Sequence, residues 1–307
     1  MIESNELAAP RAAPLEPAGG RAGRGFWQHS WEELRSNRLG IASAVLLALL
    51  IVVALTAPFF SQFVTHFGTT QQDLNNPFSA PSRTHWLGTD ELGRDTVTRL
   101  AYGARISLGV GFLTVAISLT IGAMVGLFAG FYGGVLDDVL MRIVDVVLAL
   151  PPVFLFILMS ILFRPNAITL SVIIASLGWA SLARLVRSEV LSLRSREFIV
   201  ATRSLGARNG RLIFRHVLPN SLQLMIVAAS LGLAQVVLIE AALDFLGLGI
   251  QPPTPSWGNM LSNAQEYFVH SVWLVIFPGL MIFLTVLAAN LLGNALRDAF
   301  DPRLRHL

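Results

Sequence analysis

Long stretches of this chain pass without a formal charge, and they set its organisation. No Asp, Glu or Arg falls in residues 39–72, 106–136, 146–163, 165–183, 217–239 or 267–296. A helix needs about 20 residues to cross the hydrocarbon of a bilayer, so each gap, with a few flanking residues, holds one span. The pattern predicts an all-α polytopic membrane protein with six transmembrane helices, at about 39–60, 106–132, 140–163, 168–187, 221–243 and 272–295. A seventh gap, 245–265, contains "QPPTPSWGNMLSN" and is predicted to be a loop. Backbone groups freed by its prolines would have no partner in lipid. Pro151-Pro152 should kink the third span.

The polar segments between the gaps give an orientation. Arg11, Arg21, Arg24, Arg35 and Arg38 precede the first span, eight arginines lie in 184–218, and Arg297, Arg303 and Arg305 follow the last span. Residues 61–104 hold only Arg83, Arg94 and Arg99, and residues 250–271 hold none. The positive-inside bias then places both termini and the 184–218 loop in the cytoplasm. The N-terminus is not expected to be a cleaved signal, because its apolar run is of span length. Residues 1–25, rich in Ala, Pro, Gly and Arg, read as a disordered cytoplasmic tail. Residues 26–103 read as an interfacial helix, the first span and an extracytoplasmic segment. Residues 104–307 read as a five-helix core with a loop at 188–220. Trp27, Trp31 and Leu34, at i, i+4 and i+7, suit a helix in the inner interface or a simple aromatic anchor.

The 188–220 loop carries its own pattern. In "REFIVATRSLG", Phe198, Ala201 or Thr202, and Leu205 share one helical face, and Gly206 stands where a left-handed cap would end the helix. In "GRLIFRHVLP", Ile213 pairs with Val217 and Phe214 with Leu218, with Arg211 and Arg215 opposite, and Pro219 marks the start of the next span. The segment is a helix–glycine–helix unit along the cytoplasmic surface, or a basic loop that only fixes topology.

Other polar groups have two readings each. Glu240 and Asp244, near the outer end of the fifth span, either meet a substrate amine or sit solvated at the interface. "HWLGTDELGRD" reads mainly as the entry to a capped extracytoplasmic helix, with Thr89 or Asp90 as N-cap; ligation of a metal or a peptide terminus by His85, Asp90, Arg94 and Asp95 is the lesser reading. Asp138 and Arg142 are spaced for an i,i+4 pair, and Trp257, Tyr267, Phe268 and Trp273 read as an outer aromatic belt.

Composition narrows the chemistry. The chain has 307 residues, 54% hydrophobic and 13% charged, against roughly 25% charged in a soluble domain. All 22 basic residues are arginine and there is no cysteine. A phosphate-binding loop with its lysine, a Schiff-base lysine, disulfides and thiolate metal sites are therefore excluded. The six histidines are scattered, so no metal site is expected, and the spans show no hydrolase constellation. An ion-coupled carrier needs ionisable groups near mid-membrane, which these spans nearly lack.

The 197–220 segment resembles the cytoplasmic loop of permease subunits of binding-protein-dependent, ATP-driven importers. Ala201 matches the first alanine of that loop's Glu-Ala-Ala start, Gly206 its glycine, and Ile213, His216, Leu218, Pro219 and Asn220 its ending. Val200 stands in place of the usual glutamate and Thr202 in place of the second alanine; Glu197 belongs to the flank. The segments 85–108, 141–151, 178–198, 244–261 and 283–305 resemble the dipeptide/oligopeptide/nickel branch, and its C-type subunit in particular, over roughly 27–305. The resemblance implies a type I importer permease fold in a bacterial inner membrane. It implies a coupling loop made of Glu197, Phe198, Ala201, Thr202, Arg203, Leu205, Gly206, Ile213, Arg215, His216, Pro219 and Asn220. It also implies a B-type permease partner, two ATPase subunits or domains that bind ATP and magnesium, a binding protein facing 250–271, membrane lipids around the spans, and no nucleic acid. This chain itself would hold no cofactor and no catalytic residue.

Overall fold

In lipid an unpaired backbone amide has no water to fall back on, so charge-free segments of this length must close their hydrogen bonds within themselves. The computed structural model describes residues 26–163 and 165–300. The 1–25 tail, Arg303 and Arg305 lie outside the described residues, as does the side chain of Trp27. In chain order the helices are α1 Phe26–Ser36, α2 Arg38–Phe60, α3 Thr96–Tyr132, α4 Gly134–Ala149, α5 Pro152–Phe163 and α6 Ala167–Arg194. They continue with α7 Glu197–Ser204, α8 Asn209–Leu212, α9 Leu218–Phe245, α10 Ala264–His270 and α11 Trp273–Phe300.

Five helical stretches are long and apolar enough to cross a membrane, and α4 with α5 forms a sixth candidate bent by 81°. The kink expected at Pro151-Pro152 is thus a full break. Leu150, just before the two prolines, is extended, the conformation proline imposes on its predecessor. α3 begins ten residues before its expected start, so Arg99 lies in a helix rather than in a connection. The Asp95 side chain caps α3 by accepting from the Thr98 N–H at 2.8 Å, which corrects the expected Thr89 or Asp90. Thr89 instead ties the 76–79 backbone, accepting from Ser79 N and donating to Asn76 O.

The tightest packing is between α3 and α6. Gly122, Gly126 and Gly130 form a stripe one helical turn apart on α3. A Cβ on Gly126 would lie 2.6 Å from Ala183 O and 2.8 Å from Val186 Cβ; one on Gly130 would lie 2.9 Å from Arg187 O. Such stripes let two membrane helices approach backbone to backbone. Around this pair, α2, α9 and α11 enclose Leu50, Leu108, Val237, Ala288 and Trp257. The expected Asp138–Arg142 pair does not form among the described residues. Arg187 makes a two-pronged bond to Asp137 at 2.5 and 2.6 Å, linking α6 to α4, and Arg184 meets Asp145 at 2.7 Å.

Candidate functional site

At the end of the bundle where α6 gives way to α9, the chain builds a foot. α7 has Glu197 in its first turn and Arg203 in its last, the signs that the helix dipole favours. It stops because Gly206 adopts φ +87, a conformation costly for a residue with a Cβ. Gly206 N–H then donates to Arg203 O at 2.9 Å and Ala207 N–H to Thr202 O at 3.3 Å, the two bonds of a Schellman cap. The apolar residues of the foot divide into two sets. Ile199, Leu212, Ile213 and Val217 are fully buried against Leu127 and Phe131 of α3 and Val186 and Val190 of α6. Phe198, Val200, Leu205 and Phe214 stand exposed, Leu205 at 88%. Ala201, Arg203, Arg211, Arg215 and Asn220 are exposed too, while Thr202 and His216 are half-buried.

Pro219 and Asn220 lie in the first turn of α9, where the next span was expected to start. Asn209 to Phe245 is one continuous helical stretch, and a π-helical turn at Ile213–Val217 leads into Pro219 in the first turn of α9. Proline supplies no N–H and crowds the preceding turn, and the wider π turn accommodates it. Asn220 Nδ2 donates to His216 O at 2.6 Å and Ser221 Oγ to Val217 O at 3.0 Å, so side chains serve carbonyls near the irregularity.

Arginines fasten the foot and the end of α6 to α3, which the sequence reading missed. The Arg203 guanidinium lies 5.4 Å from the centre of the Phe131 ring, within cation–π range. Arg194 Nη1 donates to Gly130 O and Phe131 O at 3.1 and 3.3 Å, closing the C-terminal end of α3.

Glu240 and Asp244 are not solvated at an interface. Both are buried, Glu240 completely. Glu240 Oε1 accepts from Ser107 Oγ at 2.9 Å, and Ser107 Oγ in turn accepts from Trp257 N at 3.2 Å. Asp244 accepts from Ile250 N at 2.6 Å and from the Ser256 hydroxyl. Trp257 is wholly buried, its indole N–H donating to Leu100 O at 3.1 Å, so it belongs to the core and not to an aromatic belt. Phe268 and Trp273 are exposed as a belt requires, whereas Tyr267 is buried and its phenol is pushed up to about 12 by burial. The two acids therefore latch the 246–261 segment onto α3 and α9.

The 61–95 segment closes the same end. Asp90 accepts from Arg94 Nε at 2.6 Å and pairs with Arg99 Nε at 3.2 Å; Arg94 also meets Glu91 at 2.5 Å. His85 Nδ1 lies 2.9 Å from Asp95 and its ring stacks on Phe67. Asp73 has its carboxyl held below the usual range by the side chain of Asn76 and then the Asn75 N–H. His85, Asp90, Arg94 and Asp95 thus form fold-closing pairs.

Between α3, α6 and α9 lies a cavity of about 360 Å³. A second, of about 500 Å³, shares Leu185, Ala228 and Leu231 with it and is lined by Glu189, Asn220, Gln223 and Arg297 towards the foot. Glu240 and Asp244 line neither.

Membrane-length helices around a cavity, with an amphipathic foot at one end, define a multi-pass permease. Residues 122–306 match the family described as binding-protein-dependent transport system inner membrane component, and residues 25–81 match the N-terminal TM domain of oligopeptide transport permease C. The chain belongs to the binding-protein-dependent transport system inner membrane component family. It is an inner-membrane, multi-pass permease subunit of a bacterial ABC importer. It is 42% identical to the dipeptide transport system permease protein DppC of Alkalihalophilus pseudofirmus, over 91% of this chain and 90% of the relative. It is 36% identical to the oligopeptide transport system permease protein OppC of Bacillus subtilis, over 95% and 97%. It is 39% identical to the glutathione transport system permease protein GsiD of Pectobacterium atrosepticum, over 91% and 92%.

Proposed function

We propose that this chain is the C-type transmembrane subunit of an ATP-driven importer of di- and oligopeptides, forming half of the translocation pathway. The names of its dipeptide and oligopeptide relatives support the cargo. The observation that carries the coupling role is the divided foot: Ile199 buried among α3 and α6, and Phe198, Val200 and Leu205 presented outward on the same short helix and its cap. A helix with one face rooted and the other apolar and open seats in a groove of a partner. With no lysine the chain cannot build a phosphate-binding loop, so ATP and magnesium are bound by two ATPase subunits or domains. A paralogous B-type permease completes the pathway, and an extracytoplasmic binding protein delivers cargo to the 250–271 face. The arginine bias puts both termini and the foot in the cytoplasm. Val200, exposed where the family usually has glutamate, makes that contact apolar in this chain.

Reconstitution with the partner subunits tests the reading. Peptide uptake should require ATP and the loaded binding protein, and cross-links from position 205 should reach the ATPase. Uptake by this chain alone, driven by an ion gradient and indifferent to ATP, would establish the ion-coupled carrier instead.

A further inference from the structure

The larger surprise is at mid-membrane, where three hydrogen-bonding side chains around one cavity bond to nothing among the described residues. Ser118 of α3 is 5% exposed, and its hydroxyl, which lines the 360 Å³ cavity, has no hydrogen-bond partner. Ser181 of α6 and Gln235 of α9 line the same cavity, both exposed to it and neither engaged in a hydrogen bond among the described residues. Gln235 lies ten residues before the end of α9, about 15 Å into the membrane at 1.5 Å per residue. An amide facing lipid there would be costly, and a buried hydroxyl left unpaired carries its full desolvation penalty. Such groups are retained where a passing solute completes them.

The rest of the lining says what kind of solute. Among the described residues, no Asp, Glu, Arg or His contributes to this cavity, whose other walls include Val147, Phe156 and Ile174. Its volume is at the lower end of small-ligand pockets, about 300–1,000 Å³. A fixed charge at low dielectric would trap one end of a zwitterion, whereas a path must bind weakly enough to release. Towards the foot the lining changes to Glu189, Arg297, Asn220 and Gln223.

We propose that Ser118, Ser181 and Gln235 form a transit subsite for the neutral amide groups of the cargo, one donor and acceptor set on each of α3, α6 and α9. The cargo class rests on the peptide reading above; the existence of a wetted polar subsite does not. It replaces Glu240 and Asp244 as this chain's contact with solute.

The test uses the assembled transporter in proteoliposomes with the binding protein loaded with tri-alanine. Gln235→Leu and Ser118→Ala should each lower uptake about tenfold, the equivalent of losing a well-placed hydrogen bond or two. ATP hydrolysis stimulated by the loaded binding protein should stay within about twofold, and Gln235→Asn should restore most of the uptake. Uptake within twofold of wild type in both variants, or ATP hydrolysis falling in step with uptake, overturns the proposal. A second measurement does not depend on the cargo. Because the chain has no cysteine, Gln235→Cys gives it a single thiol. That thiol should react with a hydrophilic methanethiosulfonate reagent in the complex, and Leu238→Cys, exposed on α9 but outside the cavity, should not. If wild type fails to carry tri-alanine yet the thiol at 235 reacts, the peptide reading falls and the subsite stands. An unreactive thiol at 235 removes the subsite whatever the cargo.

Discussion

At the 61–95 end, Asp90, Arg94, Asp95 and Arg99 are each tied to another group of the same chain, and Glu240 and Asp244 are sealed under Trp257. At the foot the arrangement is reversed: Phe198, Val200, Leu205 and Phe214 are apolar and uncovered, and most of the arginines face outward. One end spends its polar groups on closing itself, the other leaves its apolar groups for a neighbour. A part that transmits force between subunits needs this asymmetry, because a lever must be rigid where it joins the rods and open where it is pushed.

The comparison can be broken at its shared support first. Gly126→Leu puts side-chain atoms where Ala183 O and Val186 already lie; overpacking of this kind costs about 1–3 kcal/mol and occasionally more. Both ends should fail together, read as loss of folded, monodisperse chain. Ile199→Ala removes a fully buried root and should cost about 2–5 kcal/mol, confined to the foot. The chain should still insert, while peptide-stimulated ATP hydrolysis collapses. Retained stimulation would mean that the foot is not fastened through Ile199.

At the opposite end, Glu240→Leu strips the acceptor from Ser107 at about 1–3 kcal/mol, and limited proteolysis should find the 246–261 segment loosened. Glu240→Gln keeps that acceptor, and peptide uptake should stay within about twofold of wild type; a large fall would put the carboxylate back in the path. Gly206→Leu forces a side chain into φ +87 at about 1–2 kcal/mol. Insertion should be normal, with stimulated ATP hydrolysis lost because α7 and α8 no longer align. The smallest effect belongs to the exposed Asp145–Arg184 pair: Asp145→Ala should shift stability by less than about 1 kcal/mol, visible only as a slight change in melting temperature.

What the chain spelled out follows from what lipid forbids. Charge-free gaps marked the spans because a charge is costly there, and Gly206 marked the end of α7 because other residues resist its φ. The extension of α3 was hidden because Arg99 looked like a loop residue; its partner Asp90 neutralises it only once the chain has turned. Glu240 looked like a solvated acid because Ser107 lies 133 positions away. Trp257 read as a belt residue because Leu100, whose carbonyl its indole N–H reaches, lies 157 positions away. The Gly122, Gly126 and Gly130 stripe was in plain view, and only a spacing search for small residues would have singled it out. Gln235 escaped notice because counting charges passes over an amide.

The π turn at Ile213–Val217 has a consequence for inheritance as well as for mechanics. It holds one residue more than an ordinary turn would need, so the heading of α8 relative to α9 depends on a count and not only on side-chain identity. Deleting one residue there other than Phe214 would swing everything before it by about 100°, re-aiming the exposed Phe214 while leaving every motif letter outside the turn unchanged.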